Sequence, residues 1–149
     1  MIEQVYILTT LAIGLFAGSL LTEAMILVPY WRRMEPVDFF RLHESLGPNL
    51  FRYYAPLTSI AVILAVTTAA LAGPGNQPWL ISAGLCLTTL VIFFIYFRTA
   101  NNRFATHDIS NDNLAGELKK WANWHWVRTV LAIVALGTSI YGHTLQVAM

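Results

Sequence analysis

The hydrophobic pattern of the chain marks four apolar segments, at residues 5–30, 50–73, 78–100 and 121–145. Each segment reaches the roughly 20 residues that a helix needs to cross the ~30 Å hydrocarbon core of a bilayer. Helix is favoured because a spanning segment must satisfy its own backbone hydrogen bonds, and the strict alternation of barrel strands is missing. The pattern predicts an all-α integral membrane protein, a four-helix bundle in which residues 1–149 form one domain.

The connections between these segments differ in length and in charge. Segments two and three are joined by the tight turn GPGNQP, whereas the other two connections are long and polar. Every lysine and arginine lies in the two long connections or in the adjoining ends of the apolar segments, where Arg52, Arg98 and Arg128 are found. The positive-inside rule therefore predicts that both long connections are cytoplasmic and that both termini lie outside. We expect the membrane to be a bacterial inner membrane.

One stretch of the first long connection has its own apolar pattern. Residues 37–46, VDFFRLHESL, place Phe39, Phe40, Leu42 and Leu46 at mixed spacings of three and four residues. This spacing predicts a short amphipathic helix that lies at the membrane interface between helices 1 and 2.

Composition supports a membrane protein and narrows its partners. Hydrophobic residues make up 56% of the chain and charged residues 11%, against about 25% charged in typical soluble proteins. The net charge of +1 and the lack of a basic aromatic patch argue against nucleic acid as a partner. Cys86 is the single cysteine, so an intramolecular disulfide is excluded. The expected partners are membrane lipid, a hydrophobic small molecule and, through the GLFAG stretch of helix 1, a second copy of the chain.

Polar residues within the apolar segments collect towards the predicted cytoplasmic ends. Glu23 lies six residues before Pro29, and a carboxylate at that depth needs a partner or water. Trp121, His125 and Arg128 follow an i, i+4, i+7 spacing and therefore share one helix face. These positions predict a polar pocket near the cytoplasmic face. The alternatives are a snorkelling glutamate and an aromatic belt with a positive-inside arginine.

Several short stretches resemble a known family. They are WANWHWVR at residues 121–128, ANNRF at 100–104, ILVPYW at 26–31 and YAP at 54–56. Together they resemble the anthrone-oxygenase-like family of small four-helix membrane proteins, many of which have no assigned function. The resemblance implies oxygenation of an anthrone, a reduced polycyclic aromatic, to a quinone. Its motif positions here are Asn102 (or Asn101), Trp121, His125 and Arg128, and the long connection at residues 32–47 leaves the substrate open.

The residues support a reaction without a cofactor. An anthrone is a weak carbon acid, and removing its proton leaves an electron-rich carbanion that can pass an electron to oxygen. His125 is the predicted base because imidazole titrates near neutral pH, and Arg128 and Asn102 are the predicted partners of the developing oxyanion. The predicted substrate-binding residues are Trp121, Trp124, Tyr54 and Asn101, which supply aromatic and polar walls.

Two further interpretations stay open at this point. Glu23, His43 and His125 form a two-histidine, one-carboxylate set that suits a single iron, copper or zinc ion, although no local metal motif accompanies it. A less favoured interpretation is that two histidines from separate helices bind the iron of a haem. Alternatively, the protein is not an enzyme but binds a lipid, quinone or metal, or forms a subunit of a larger membrane complex, with its cations on anionic headgroups.

Overall fold

The computed structural model describes residues 2–147, and within that range the protein is all-α without a strand. Four long helices follow one another: α1 Ile2–Trp31, α2 Pro36–Ala72, α3 Gln77–Ala105 and α4 Asn111–Val147. Short segments at residues 32–35, 73–76 and 106–110 connect them. Gly73 ends α2 with a positive φ of 80°, a backbone conformation that glycine adopts without steric strain.

Three of these helices, α1, α2 and α3, are long and apolar enough to cross a membrane. Their outward faces carry large apolar side chains, such as Leu15, Ile63 and Ile95, which are more than 60% exposed. A soluble protein rarely exposes so many large apolar groups, because water would have to solvate them. Three of the four predicted segments are therefore confirmed as helices that are long and apolar enough to span a membrane.

The predicted short interfacial helix at residues 37–46 is wrong as a separate element. The structure continues it through Pro48 and Pro56 into a single helix from Pro36 to Ala72. A proline removes one backbone hydrogen bond, but contacts with other helices hold α2 on both sides of Pro48. Before it, Phe39 packs edge-on against Phe104, with ring centroids 5.3 Å apart. After Pro48, the Tyr54 hydroxyl donates to the Ser19 carbonyl oxygen on α1 at 3.0 Å.

The two predicted long connections are likewise mostly helix. Residues 98–105 complete α3, and residues 111–120 form the first turns of α4. The extended ends of the four helices share an apolar cluster that includes Trp31, Phe39, Phe104, Leu118 and Trp121. We name this end of the molecule the basic end, because every lysine and arginine lies in the parts of the helices and turns nearest to it.

Neighbouring helices run antiparallel and close into a ring. Helix α1 contacts α2 and α4, and α3 contacts the same two helices. Near the end opposite the basic end, Thr9 and Thr68 share a hydroxyl hydrogen bond of 2.6 Å between α1 and α2. The hydroxyl of Ser82 on α3 donates to the Ala135 carbonyl oxygen on α4 at 2.9 Å. Hydroxyl groups that bond across helices are a common source of packing specificity in lipid.

Candidate functional site

Two π turns interrupt the regular helices near the basic end. One spans Glu23–Leu27 in α1, where the N–H of Val28 donates to the carbonyl oxygen of Glu23, and the other spans Phe93–Phe97 in α3. A π turn widens the helix by one residue and is found frequently at functional sites. Both turns contribute side chains to the same cavity, so the two distortions shape one site.

The cavity lies between α2 and α3 and has a volume of about 630 Å³. All four helices line it, and most of its walls are aromatic or aliphatic. The residues that matter for the chemistry are Glu23, Tyr54, Phe93, Phe97, Trp121 and Arg128. A largely apolar cavity of this size with a few convergent polar groups is typical of a site for a small hydrophobic molecule.

Glu23 lines this cavity and lies against His125, which stands behind the cavity wall. The Glu23 side chain is 6% exposed, and its Oε2 atom lies 3.8 Å from Nε2 of His125. The same Nε2 lies 3.0 Å from the carbonyl oxygen of Leu20, one turn before the π turn of α1. With its proton on Nε2, the imidazole donates to that carbonyl and faces the carboxylate. The first and last helices are thus connected through one buried imidazole.

His125 itself does not line the cavity. Trp121 covers it, with ring centroids 4.9 Å apart and planes inclined by 10°. Within residues 2–147, Nδ1 of His125 has no hydrogen-bond partner. The imidazole therefore stands behind the cavity wall, and its predicted role as the base stays a prediction that this position does not favour.

Trp121 forms part of the cavity wall, and residues of α3 hold its indole in place. Its indole N–H donates to Oδ1 of Asn101 on α3 at 2.9 Å. The Phe97 ring meets it edge-on, with centroids 5.1 Å apart. Since Asn101 and Trp121 both line the cavity, the structure brings these two predicted substrate-binding residues together.

Arg128 places a buried cation on the cavity wall. Its side chain is 6% exposed, and the guanidinium carbon lies 4.6 Å from the ring centre of Phe97 and 6.0 Å from that of Phe93. In the described part of the chain, its Nε–H has no acceptor, and no ion pair joins it to Glu23. A guanidinium held against aromatic faces with an unpaired N–H is suited to bind an oxygen atom of a ligand.

Tyr54 completes the polar inner end of the cavity. Its hydroxyl lies close to the Glu23 carboxylate and donates to the Ser19 carbonyl oxygen at 3.0 Å. The neighbouring Tyr53 hydroxyl shares a 2.7 Å hydrogen bond with the Ser19 hydroxyl. Both contacts join α2 to α1, so Tyr54 is positioned by the helix that carries Glu23.

Two predicted site residues occupy more peripheral positions. Asn102 lines the cavity at an exposed position on α3, towards the basic end. Trp124 is 39% exposed and stacks on Tyr96, with centroids 5.6 Å apart, outside the set of cavity-lining residues. The indole of Trp124 therefore faces the surroundings, which suits an interfacial anchor better than a substrate contact.

The proposed metal set is not assembled. His43 lines the cavity, but it stacks on Phe39 in the extended part of α2, eleven residues before Tyr54. That separation is roughly 16 Å along a helix at 1.5 Å per residue, too far to join Glu23 and His125. Among residues 2–147, no three histidine, cysteine, aspartate or glutamate side chains are close enough to hold a metal ion.

The sequence did not single out the residues that hold Arg128. Phe93 and Phe97 lie in the run FFIYF, which is indistinguishable from lipid-facing filler by composition alone. Their role depends on the π turn at Phe93–Phe97, which changes the direction of their side chains. No local sequence signal marks such a turn, although the aromatic density of the run is a hint.

Fold and cavity define the class first: an all-α protein with three helices long and apolar enough to cross a membrane, and with a largely aromatic cavity. The sequence profile of the family described as anthrone oxygenase matches residues 48–138, more than half of the chain. The chain therefore belongs to the anthrone oxygenase family, as the resemblance in its motifs predicted. The match includes His125 and Arg128, whereas Glu23 and His43 precede it. No significant similarity to a curated protein or to a solved structure was found.

Proposed function

We propose that the protein is a membrane-embedded oxygenase that acts on a flat hydrophobic aromatic, an anthrone or a related quinol. One observation carries this proposal: within residues 2–147, an aromatic cavity of about 630 Å³ holds the buried guanidinium of Arg128, and no carboxylate lies within ion-pair distance of it. The aromatic walls suit stacking of a flat ring system, and the cation suits the charge that develops on its carbonyl oxygen. Membership of the anthrone oxygenase family supports the same reaction class.

The four helices are proposed to cross the membrane as a bundle, with α4 as the fourth span. Two contacts along α4 support this arrangement: His143 meets Tyr6 edge-on, with centroids 6.5 Å apart, and Nε2 of His125 lies 3.0 Å from the Leu20 carbonyl oxygen. Helix α4 thus runs alongside α1 from His125 to His143. The positive-inside rule then places the basic end, and with it the cavity, near the cytoplasmic face of a bacterial inner membrane.

Substrate is proposed to enter from the bilayer between α2 and α3. Phe51 and Phe94 line the cavity, and they are also 60% and 56% exposed on the outer surface. Ser59 lies at the same opening and is a small residue. An apolar aromatic partitions into lipid, so a lateral opening between helices would let it reach the cavity without crossing water.

The reaction converts the methylene of the anthrone to a carbonyl with one molecule of oxygen. A base takes one methylene proton, and Arg128 stabilises the enolate oxygen that results. The carbanion passes an electron to oxygen, and recombination followed by protonation forms a hydroperoxide on that carbon. Loss of the second proton with cleavage of the O–O bond yields the quinone and water. Both oxygen atoms are accounted for, one in the new carbonyl and one in water.

The test is oxygen uptake by the purified protein in lipid nanodiscs with anthrone as the substrate, together with mass spectrometry of the product. With ¹⁸O₂, the expected product is anthraquinone that carries one ¹⁸O atom, at a rate well above that of nanodiscs without protein. Binding of anthrone without oxygen uptake would instead support a carrier or binding protein. Metal analysis and oxygen uptake before and after treatment with a chelator show whether turnover needs a metal ion.

A further inference from the structure

The reaction proposed above needs a base that touches the substrate, and the structure offers few. Three groups that can accept a proton line the cavity: Glu23, His43 and Glu44. His43 and Glu44 lie in the extended part of α2, and His43 is half-buried against Phe39 whereas Glu44 is exposed. Only the Glu23 carboxylate lies at the inner end of the cavity, where it is close enough to Arg128 for an electrostatic interaction.

We infer that Glu23 is the catalytic base and that His125 acts through it as a positioning residue. This inference rests on the proposed function for the identity of the substrate. The carboxylate lines the cavity at 6% exposure, and the imidazole lies 3.8 Å behind it, covered from the cavity side by Trp121.

The π turn explains how α1 presents this carboxylate. Glu23 is the first residue of the turn, and its carbonyl oxygen accepts from the N–H of Val28, five residues later. One turn earlier, the carbonyl oxygen of Leu20 lies 3.0 Å from Nε2 of His125 and accepts its hydrogen bond. That hydrogen bond directs the Nε2–H of His125 towards α1, so the imidazole lies against the Glu23 carboxylate, which lines the cavity next to the Tyr54 hydroxyl.

One carboxylate can serve both proton transfers of the reaction. Glu23 first takes a methylene proton, and Arg128 faces the enolate oxygen from the same end of the cavity. After oxygen has added to the carbon, the protonated Glu23 returns its proton to the peroxide anion and becomes a carboxylate again. It then takes the second carbon-bound proton as the O–O bond breaks, and the departing hydroxide receives that proton and leaves as water.

The experiment separates proton removal from oxygenation. Wild-type protein in nanodiscs is incubated with anthrone in D₂O without oxygen, and exchange of the methylene protons is followed by NMR. Wild-type protein is expected to accelerate the exchange, and Glu23→Gln, which keeps the shape but not the basicity, to slow it by about 100-fold or more. Glu3→Gln makes the same change at an exposed position of α1 and is expected to match the wild type.

A second variant covers the case in which Glu23→Gln does not fold. Glu23→Asp keeps the carboxylate but retracts it by one methylene group, so exchange is expected to fall by about tenfold with the fold retained. Exchange in Glu23→Gln within threefold of the wild type, or oxygen uptake by the wild type without any accelerated exchange, overturns the assignment of Glu23. Accelerated exchange that depends on Glu23 but leads to no oxygen uptake overturns the oxygenase function and leaves the base in place.

Discussion

The guanidinium carbon of Arg128 lies 4.6 Å from the centre of the Phe97 ring on the cavity wall, and within residues 2–147 no acidic group forms an ion pair with it. The arginine comes from α4 and the phenylalanine from the π turn of α3, so the contact depends on how two helices pack. Aromatic faces stabilise a desolvated cation without neutralising it. The charge is thereby kept available for the oxygen atom of a ligand.

Arg128→Met is expected to lower the rate of anthrone oxidation by about 100-fold, because the enolate oxygen loses its charged partner. The side chain keeps a similar length, so the cavity should stay filled. Steady-state oxygen uptake is the measurement, and the loss should appear in kcat rather than in KM. Arg33→Met, at an exposed position after α1, is the matched control and should behave as the wild type. Equal rates for Arg128→Met and the wild type would remove the oxyanion role.

Replacements of His125 distinguish a positioning residue from a base. His125→Ala removes the donor to the Leu20 carbonyl and the stack on Trp121, so both activity and thermal stability should fall. His125→Gln keeps an N–H donor and should retain activity within about tenfold, since one hydrogen bond is worth ~1 kcal/mol. Oxygen uptake and thermal unfolding in detergent are measured on both variants. Equal and complete loss of activity in the two, with Gln folded, would instead favour imidazole as the base.

Ser59→Trp tests whether substrate enters between α2 and α3. Ser59 lines the opening, and an indole placed there should obstruct it. We expect kcat/KM for anthrone to fall by about tenfold or more, with a smaller change in kcat, because access is slowed rather than chemistry. Thr67→Trp, at an exposed position further along α2, is the control. A value of kcat/KM unchanged in Ser59→Trp would place the entrance elsewhere.

Gly142→Ala is expected to destabilise the protein without affecting the site. A Cβ atom at Gly142 would lie 3.0 Å from Nε1 of Trp79 and 3.2 Å from Cβ of Pro78, and Trp79 is fully buried. Overpacking of this kind costs about 1–3 kcal/mol of unfolding free energy. Thermal unfolding in detergent measures the effect, and Gly137→Ala, where no neighbouring atom lies within 4 Å, is the control. Equal melting temperatures for the two variants would show that the Trp79 side chain moves to accommodate the added methyl group.

The residues of the predicted polar pocket show what a local sequence pattern can and cannot predict. The spacing of Trp121, His125 and Arg128 placed them on one helix face, and all three are buried in the structure. The same reasoning treated His43 as a neighbour of Glu23, and it failed because α2 extends well beyond the predicted span. The sequence pattern can assign residues to the same end of a helix bundle. It does not predict how far apart they lie along the helices.

The sequence by itself determined the helical class, the three helices α1, α2 and α3 that are apolar enough to cross a membrane, and the family, because these depend on the length and apolarity of segments and on short motifs. Tertiary structure decided which polar groups meet. It brought Glu23 beside His125, placed Trp121 between that imidazole and the cavity, and set Arg128 against Phe97. The physical reason is that these contacts join residues from different helices and depend on two π turns. Neither the contacts between helices nor the π turns can be predicted from the hydrophobic periodicity of a single segment.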